Sequence, residues 1–134
     1  MIVVYASAIT ELLLQTELGT RVEQRLYRGD SAEDLHAPHL LDVEVLSALR
    51  RLVRRQQVLA ERAEQAIEDL GLLRVIRHGH IDLANRTWDL RQNCTVFDAM
   101  YLALAESLDA TLVTCDGPLG AAPGHSVRVE VIRQ

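Results

Sequence analysis

The sequence predicts an α/β fold, a mainly parallel sheet flanked by helices, and three observations carry that expectation. Residues 2–5 (IVVY) are a short unbroken apolar run, as expected of a strand buried on both faces. Residues 111–115 (TLVTC) are the clearest strand after the first. Between them, helical patterns alternate with further short strand-like segments, which implies βαβ units with right-handed crossovers.

The elements follow in order. After the first strand the chain enters a helix at once, with Ser7 as its expected cap. A second helix covers about 17–28, with Gly29 to end it. Residues 34–38 (DLHAP) are a short strand. Segment 39–56 is helical, with Leu41, Val45, Ala48, Leu49 and Leu52 on one stripe. A helix over 60–70 stops at Gly71, and residues 72–76 (LLRVI) form a strand. Helices are expected at about 80–92 and 96–108. Residues 116–124 carry Gly117, Pro118, Gly120, Pro123 and Gly124 and read as a loop. The alternation in VRVEVI (127–132) predicts an edge strand.

The chain's 134 residues suit one domain, 1–134, and its 49% apolar content excludes a disordered chain. It contains no run of about 18 apolar residues, so nothing is expected to span a membrane. The opening MIVVYASAITELLL lacks a basic segment and a small-residue cleavage site, so it reads as a strand entering a helix and not as a signal peptide. Cys94 and Cys115 sit in different elements and form no metal or redox motif; buried thiols in a reducing cytoplasm are the expectation. The net charge of −5 argues against simple electrostatic binding of nucleic acid, yet it suits a site built of acids. All 14 basic residues are arginine, a choice that codon bias explains as readily as phosphate recognition.

In open parallel sheets, ligands collect beyond the carboxyl ends of the strands where strand order reverses. Polar residues at strand ends therefore carry the argument. Asp116 directly follows TLVTC, although Asp-Gly-Pro is also a good turn sequence. Asp98 opens the helix FDAMYLALAE, which is apolar nearly all round and so expected to be buried. Thr95 and Asp98 also fit a local capping box near the positive end of the helix dipole. Glu44 lies three residues after Leu41 and four before Ala48, on or beside the apolar stripe, where a carboxylate is costly unless something pairs with it. Carboxylates gathered together repel unless a cation neutralises them. Mg²⁺ does so with oxygen ligands, activates water and stabilises charge on a phosphoryl group. The histidines compete poorly: His78 and His80 flank Gly79 in a polar loop, and His36, His39 and His125 are scattered. No phosphate-binding glycine loop or nucleophile elbow is present.

Four segments, in order, resemble the VapC toxins, which have the PIN fold. They are the opening MIVV-ASA-TELLL, Glu44 before LSALRR, WDLRQNCTVFDAMYLALAE, and TLVTCD. The stretch from Leu90 to Glu106 is the most specific, and the match covers nearly the whole chain. The resemblance implies a five-stranded sheet and a ribonuclease that cuts transfer or ribosomal RNA with Mg²⁺ or Mn²⁺. It also implies a VapB antitoxin from the same operon, and often a homodimer. By position, Glu44, Asp98 and Asp116 match the family's acids, Thr114 the hydroxyl residue supporting the last acid, and Ser7 a polar residue near the first.

Tyr5 departs from this pattern, since the resemblance places an aspartate metal ligand there. A phenol is bulkier than a carboxylate and neutral near pH 7. Weak or absent RNA cleavage is the expectation. An altered form, selected because it disarms a toxin, fits the otherwise intact pattern better than a naturally repurposed toxin, and a binding module without activity is the competing reading. Arg50, Arg51, Arg54 and Arg55, at the end of the Glu44 helix, are candidates for RNA phosphates, as is Arg91. They also suit the negative end of a helix dipole. A groove of Leu46, Leu49, Val53 and Leu59 is expected to seat an amphipathic antitoxin segment. A phosphotransfer receiver is disfavoured because it wants a late lysine and this chain has none.

Overall fold

A computed structural model describes residues 1–27 and 33–134 of the chain. Strand β1 (Ile2–Val4) leads into α1 (Ala6–Leu14) and α2 (Glu17–Leu26), then β2 (Leu35–Pro38). Helices α3 (Leu40–Arg54) and α4 (Ala60–Leu72) precede β3 (Val75–His78). A 3₁₀ turn (Ile81–Leu83), α5 (Ala84–Asp89) and α6 (Val96–Leu108) lead to β4 (Thr111–Thr114). The short α7 (Gly117–Gly120) precedes β5 (Val129–Val131).

The five strands are all parallel in the order β3-β2-β1-β4-β5. This is the expected α/β architecture. Strand order reverses between β1 and β4, so the crevice beyond their carboxyl ends is where a ligand site belongs. Because side chains alternate along a strand, β1 feeds two cores. Ile2 and Val4 join Ile9, Leu41, Val45 and Leu49 on one face. Val3 and Tyr5 join Tyr101, Leu102 and Leu104 of α6 on the other. Each fully buried aliphatic side chain contributes roughly 1.5–3 kcal/mol, so these two layers fix where the ends of β1 and β4 lie.

Several local expectations are corrected. Ser7 does not cap α1; it lies inside the helix, and Tyr5 occupies the cap position without a side-chain bond to the helix. Helix α2 ends at Leu26, and Gly29 lies outside the described residues. Helix α4 runs through Gly71, whose missing side chain costs too little to stop a helix that buries Ala66 and Leu70. The next strand therefore starts three residues late, at Val75, and His78 is its last residue and not part of a loop. There it meets His36 of β2, with Nδ1 of His36 2.8 Å from Nε2 of His78. His80 accepts the Leu40 amide at 2.9 Å and so satisfies the start of α3 from a distant loop. Its ring stands edge-on to His39. The expected 80–92 helix is broken into the 3₁₀ turn and α5, and the 116–124 loop contains α7.

Candidate active site

Tyr5 leaves β1 with its amide bonded to the Val113 carbonyl of β4 at 3.0 Å. Its own carbonyl accepts from Ala8 and Ile9, which starts α1. Strand alternation turns the side chain to the α6 face, where its ring packs 4.4 Å from that of Tyr101, tilted by 58°. The Tyr5 hydroxyl donates to the Asp98 carboxylate. Asp98 is held by the expected cap, since its amide donates to Thr95 Oγ1 at 3.1 Å. Only half of the capping box forms this way, because Tyr5 takes up the Asp98 carboxylate.

Asp116 sits just past β4, where its amide donates to Thr114 Oγ1 at 2.9 Å. Thr114 Oγ1 lies 3.2 Å from Ser7 Oγ, and Ser7 Oγ accepts the Cys115 amide at 2.9 Å. Ser7 and Thr114 thus tie the start of α1 to the end of β4 and fix the backbone that carries Asp116. Glu44 reaches in from α3. Its Oε1 is buried without a hydrogen-bond partner, and so is the Tyr101 hydroxyl. The Tyr101 phenol is near enough to favour the charged carboxylate but does not complete a bond of good geometry.

The charges of all three acids act on the Tyr5 phenol, and Asp98 alone is bonded to it. Burial pushes the Tyr5 hydroxyl well above the usual phenol range, followed by its bond to Asp98 and the charges of Asp98, Glu44 and Asp116. Tyr5 is therefore a neutral donor at any ordinary pH. Glu44 is pushed up by burial and by Asp98, against the pull of Tyr101. Asp116 is pushed up by burial and by Asp98, against a backbone bond from Leu119. The Cys115 thiol, pushed up to about 11 mainly by burial, is no nucleophile.

The PIN domain family description matches residues 2–122. Ribonuclease VapC12 of Mycobacterium tuberculosis is 40% identical over 132 residues, which span 98% of this chain and 99% of that one. This chain belongs to the VapC family of PIN-domain proteins. The crystal structure of VapC20 from Mycobacterium tuberculosis, a sarcin-ricin loop cleaving toxin, matches with a TM-score of 0.66 at 18% identity, over 90% of this chain and 94% of that one. VapBC2 of Rickettsia felis, bound to a DNA fragment from its promoter, matches with a TM-score of 0.66 at 14% identity, over 98% of each chain.

Within this VapC framework the donor set does not fit a divalent cation as it stands. Among the described residues, no three His, Cys, Asp or Glu side chains stand close enough to hold a metal ion together. The Tyr5 phenol stands at the end of β1 and engages the Asp98 carboxylate. A cavity of about 340 Å³ opens beside it, lined by Tyr5, Ser7, Glu44, Ser47 and Arg51. Asp98 and Asp116 do not line that cavity.

The basic candidates divide. Arg50, Arg51, Arg54 and Arg55 line a single cavity of about 400 Å³ with Ser47. Arg91 instead stacks on Trp88, 4.6 Å from the ring centroid, and donates to the Trp88 carbonyl at 3.0 Å. The expected apolar groove exists between α3 and α4, lined by Leu46, Leu49, Val53, Ala63 and Ile67, but Leu59 is not part of it. Leu59 precedes α4 and is 75% exposed. Tyr101 is the site residue that sequence reading missed. Its signal was a hydroxyl within the apolar run 99–105, three residues after Asp98. Among the described residues, no helix is long and apolar enough to cross a membrane.

Proposed function

We propose that this chain is the toxin of a VapBC pair, a PIN-domain ribonuclease over residues 1–134 that hydrolyses RNA phosphodiester bonds with Mg²⁺ or Mn²⁺ once position 5 is acidic. With Tyr5 in place it is weak or inactive. The observation that carries the reading is the bond from Tyr5 to Asp98 at the end of β1. It stands where the family resemblance calls for an aspartate, with Glu44 and Asp116 acting on the same phenol. The 40% identity to a protein named a ribonuclease supports the reaction class.

Glu44, Asp98, Asp116 and an aspartate at position 5 would supply oxygen donors of the hard kind that Mg²⁺ prefers. Thr114 and Ser7 are positioning residues for Asp116. The substrate class is transfer or ribosomal RNA. A VapB-type antitoxin seats an amphipathic segment in the Leu46–Leu49–Val53 groove, and the toxin works as a cytoplasmic homodimer within that complex.

The test is cleavage of RNA by the parent chain and by Tyr5→Asp, each with added Mg²⁺. Cleavage confined to Tyr5→Asp supports the reading. Equal activity in the two proteins removes position 5 from the ligand set. The Tyr5–Asp98 bond also favours a second reading, a PIN domain that binds antitoxin or RNA without cutting. Absence of both cleavage and Mg²⁺ binding in Tyr5→Asp selects it.

A further inference from the structure

We infer that helix α3 carries a track for an RNA backbone, in which Ser47 and Arg51 pass the strand from the candidate active site to Arg55. The inference rests on the proposed RNA substrate and deepens it. Two cavities lie side by side along α3. The first is lined by Tyr5, Glu44, Ser47 and Arg51, the second by Ser47, Arg50, Arg51, Arg54 and Arg55. Ser47 and Arg51 line both, so the two cavities adjoin along the helix.

Helix geometry explains the continuity. Glu44, Ser47, Arg51 and Arg55 follow at steps of three, four and four residues, which keeps them on one face. At about 1.5 Å per residue, the face climbs away from the acids toward the arginines. The adjoining face carries Leu41, Val45 and Leu49 into the core.

Charge supplies the second argument. Arg25, Arg77 and Arg86 each pair with a carboxylate. Among the described residues, none of Arg50, Arg51, Arg54 and Arg55 makes a salt bridge or a side-chain hydrogen bond. Four guanidinium groups around one open cavity repel one another, and in a chain of net charge −5 their clustering is not a general surplus of positive charge. The helix dipole accounts for cations in the last turn; it does not account for a second cavity that adjoins theirs through Ser47 and Arg51 and is lined by Glu44. Guanidinium forks suit phosphate oxygens. An acidic peptide would answer the arginines but gain nothing from the acidic end of the groove. An RNA strand is favoured because the proposed reaction must bring one phosphodiester to the Glu44 end of the groove while its neighbours lie on the arginines. Arg50 and Arg54 also border the apolar cleft between α3 and α4, so Arg51 and Arg55 are the residues that isolate the track.

The experiment measures anisotropy of a fluorescein-labelled oligouridylate with the full chain across a KCl series. The proteins are the parent, Arg51→Gln with Arg55→Gln, and Arg128→Gln, whose side chain is 80% exposed outside the track. Thermal melts confirm that each is folded, and Arg51→Lys with Arg55→Lys is the fallback that keeps charge without the fork. Each lost phosphate contact on a single strand lowers the salt slope by about 0.7. The double Gln variant should therefore lose a slope of about 1.4 and bind about ten-fold or more weakly at low salt. The double Lys variant should keep the slope while binding more weakly, and Arg128→Gln should match the parent. Equal losses in the double Gln and Arg128→Gln variants, or no loss in either, overturn the track. Polyglutamate that binds as tightly through Arg51 and Arg55 gives the surface to an acidic protein segment and overturns the RNA assignment. The same pair in a Tyr5→Asp background separates the readings: cleavage with no effect of the pair sinks the track alone, and binding that needs the pair without cleavage sinks the nuclease reading alone.

Discussion

The Tyr5 hydroxyl and the Asp98 carboxylate, 93 residues apart in the chain, are joined by a hydrogen bond across the crevice between β1 and α6. The phenol is a neutral donor because burial and three surrounding acids all oppose its ionisation. The bond satisfies a partly buried carboxylate that would otherwise face Glu44 and Asp116 without a donor. A hydrogen bond to a charged group contributes about 1.5–3 kcal/mol. Tyr5→Phe keeps the ring against Tyr101 and removes only this bond. It should lower the melting temperature by several degrees, on the order of 5 °C, without conferring Mg²⁺ binding. Tyr5→Asp should melt lower still in EDTA and recover on adding Mg²⁺. Differential scanning calorimetry with and without the ion reads both. A Tyr5→Phe protein as stable as the parent would show that the bond contributes nothing.

Glu44 makes a second prediction. Its carboxyl is raised above the ordinary range by burial and by Asp98. A group raised in the folded state contributes stability below its unfolded pKa, and that stability is lost as pH rises through the folded value. At neutral pH the charged Glu44 therefore works against folding. Glu44→Gln should melt higher than the parent at neutral pH, and the gap should close below the ordinary glutamate pKa of about 4.3. Melting curves at the two pH extremes check it. A lower melting temperature for Glu44→Gln at neutral pH would mean that its carboxylate is already compensated.

What the sequence disclosed follows from which forces are local. The short segments IVVY and TLVTC mark strands because a both-faces-buried strand needs no partner to be recognised, and both strands formed. Asp98 was legible because Thr95 and the apolar run after it define a helix start on their own. Ser7 was misread because a serine near a helix start has a strong local role, and its real partners, Thr114 and Cys115, lie more than 100 residues away. Gly71 and His78 were misplaced for the same kind of reason: burial of Leu70 carries α4 onward, and the register of β3 against β2 then decides the strand. Tyr5 was visible as a departure, but its bond to Asp98 was not, because that contact depends on how α6 packs on the sheet.

Arg25 and Glu130 give a pH dependence of the opposite sign. Arg25 of α2 donates through Nη2 to Glu130 of β5 at 3.0 Å, anchoring the edge strand. This bond holds the Glu130 carboxyl below the ordinary range, with burial opposing. A depressed folded pKa contributes stability above the unfolded value, and that stability is lost as pH falls through the folded one. The side chains are 33% and 24% exposed, so solvent screening keeps the pair near the surface value of about 0.5–1 kcal/mol. Arg25→Met should lower the melting temperature by a few degrees at neutral pH, with the deficit shrinking below about pH 4. A deficit independent of pH would assign the loss to packing and not to the ion pair.

Gly19 provides the sharpest packing test. Helix α2 crosses α1 so closely that a Cβ on Gly19 would stand 2.0 Å from the Glu11 carbonyl oxygen. The approach is fixed from both sides, since Thr16 caps α2 by accepting the Gly19 amide at 2.9 Å while its hydroxyl donates to Glu11. The obstacle is backbone and cannot rotate away, so α2 must move. Overpacking of this kind costs about 1–3 kcal/mol, and more where backbone is the obstacle. Gly19→Ala should therefore melt on the order of 10 °C lower, even though alanine is the better helix former by about 1 kcal/mol. Gly71→Ala is the control, because a Cβ there meets nothing within 4 Å and should stabilise α4. If Gly19→Ala gained stability as Gly71→Ala does, the close crossing of α1 and α2 would be wrong.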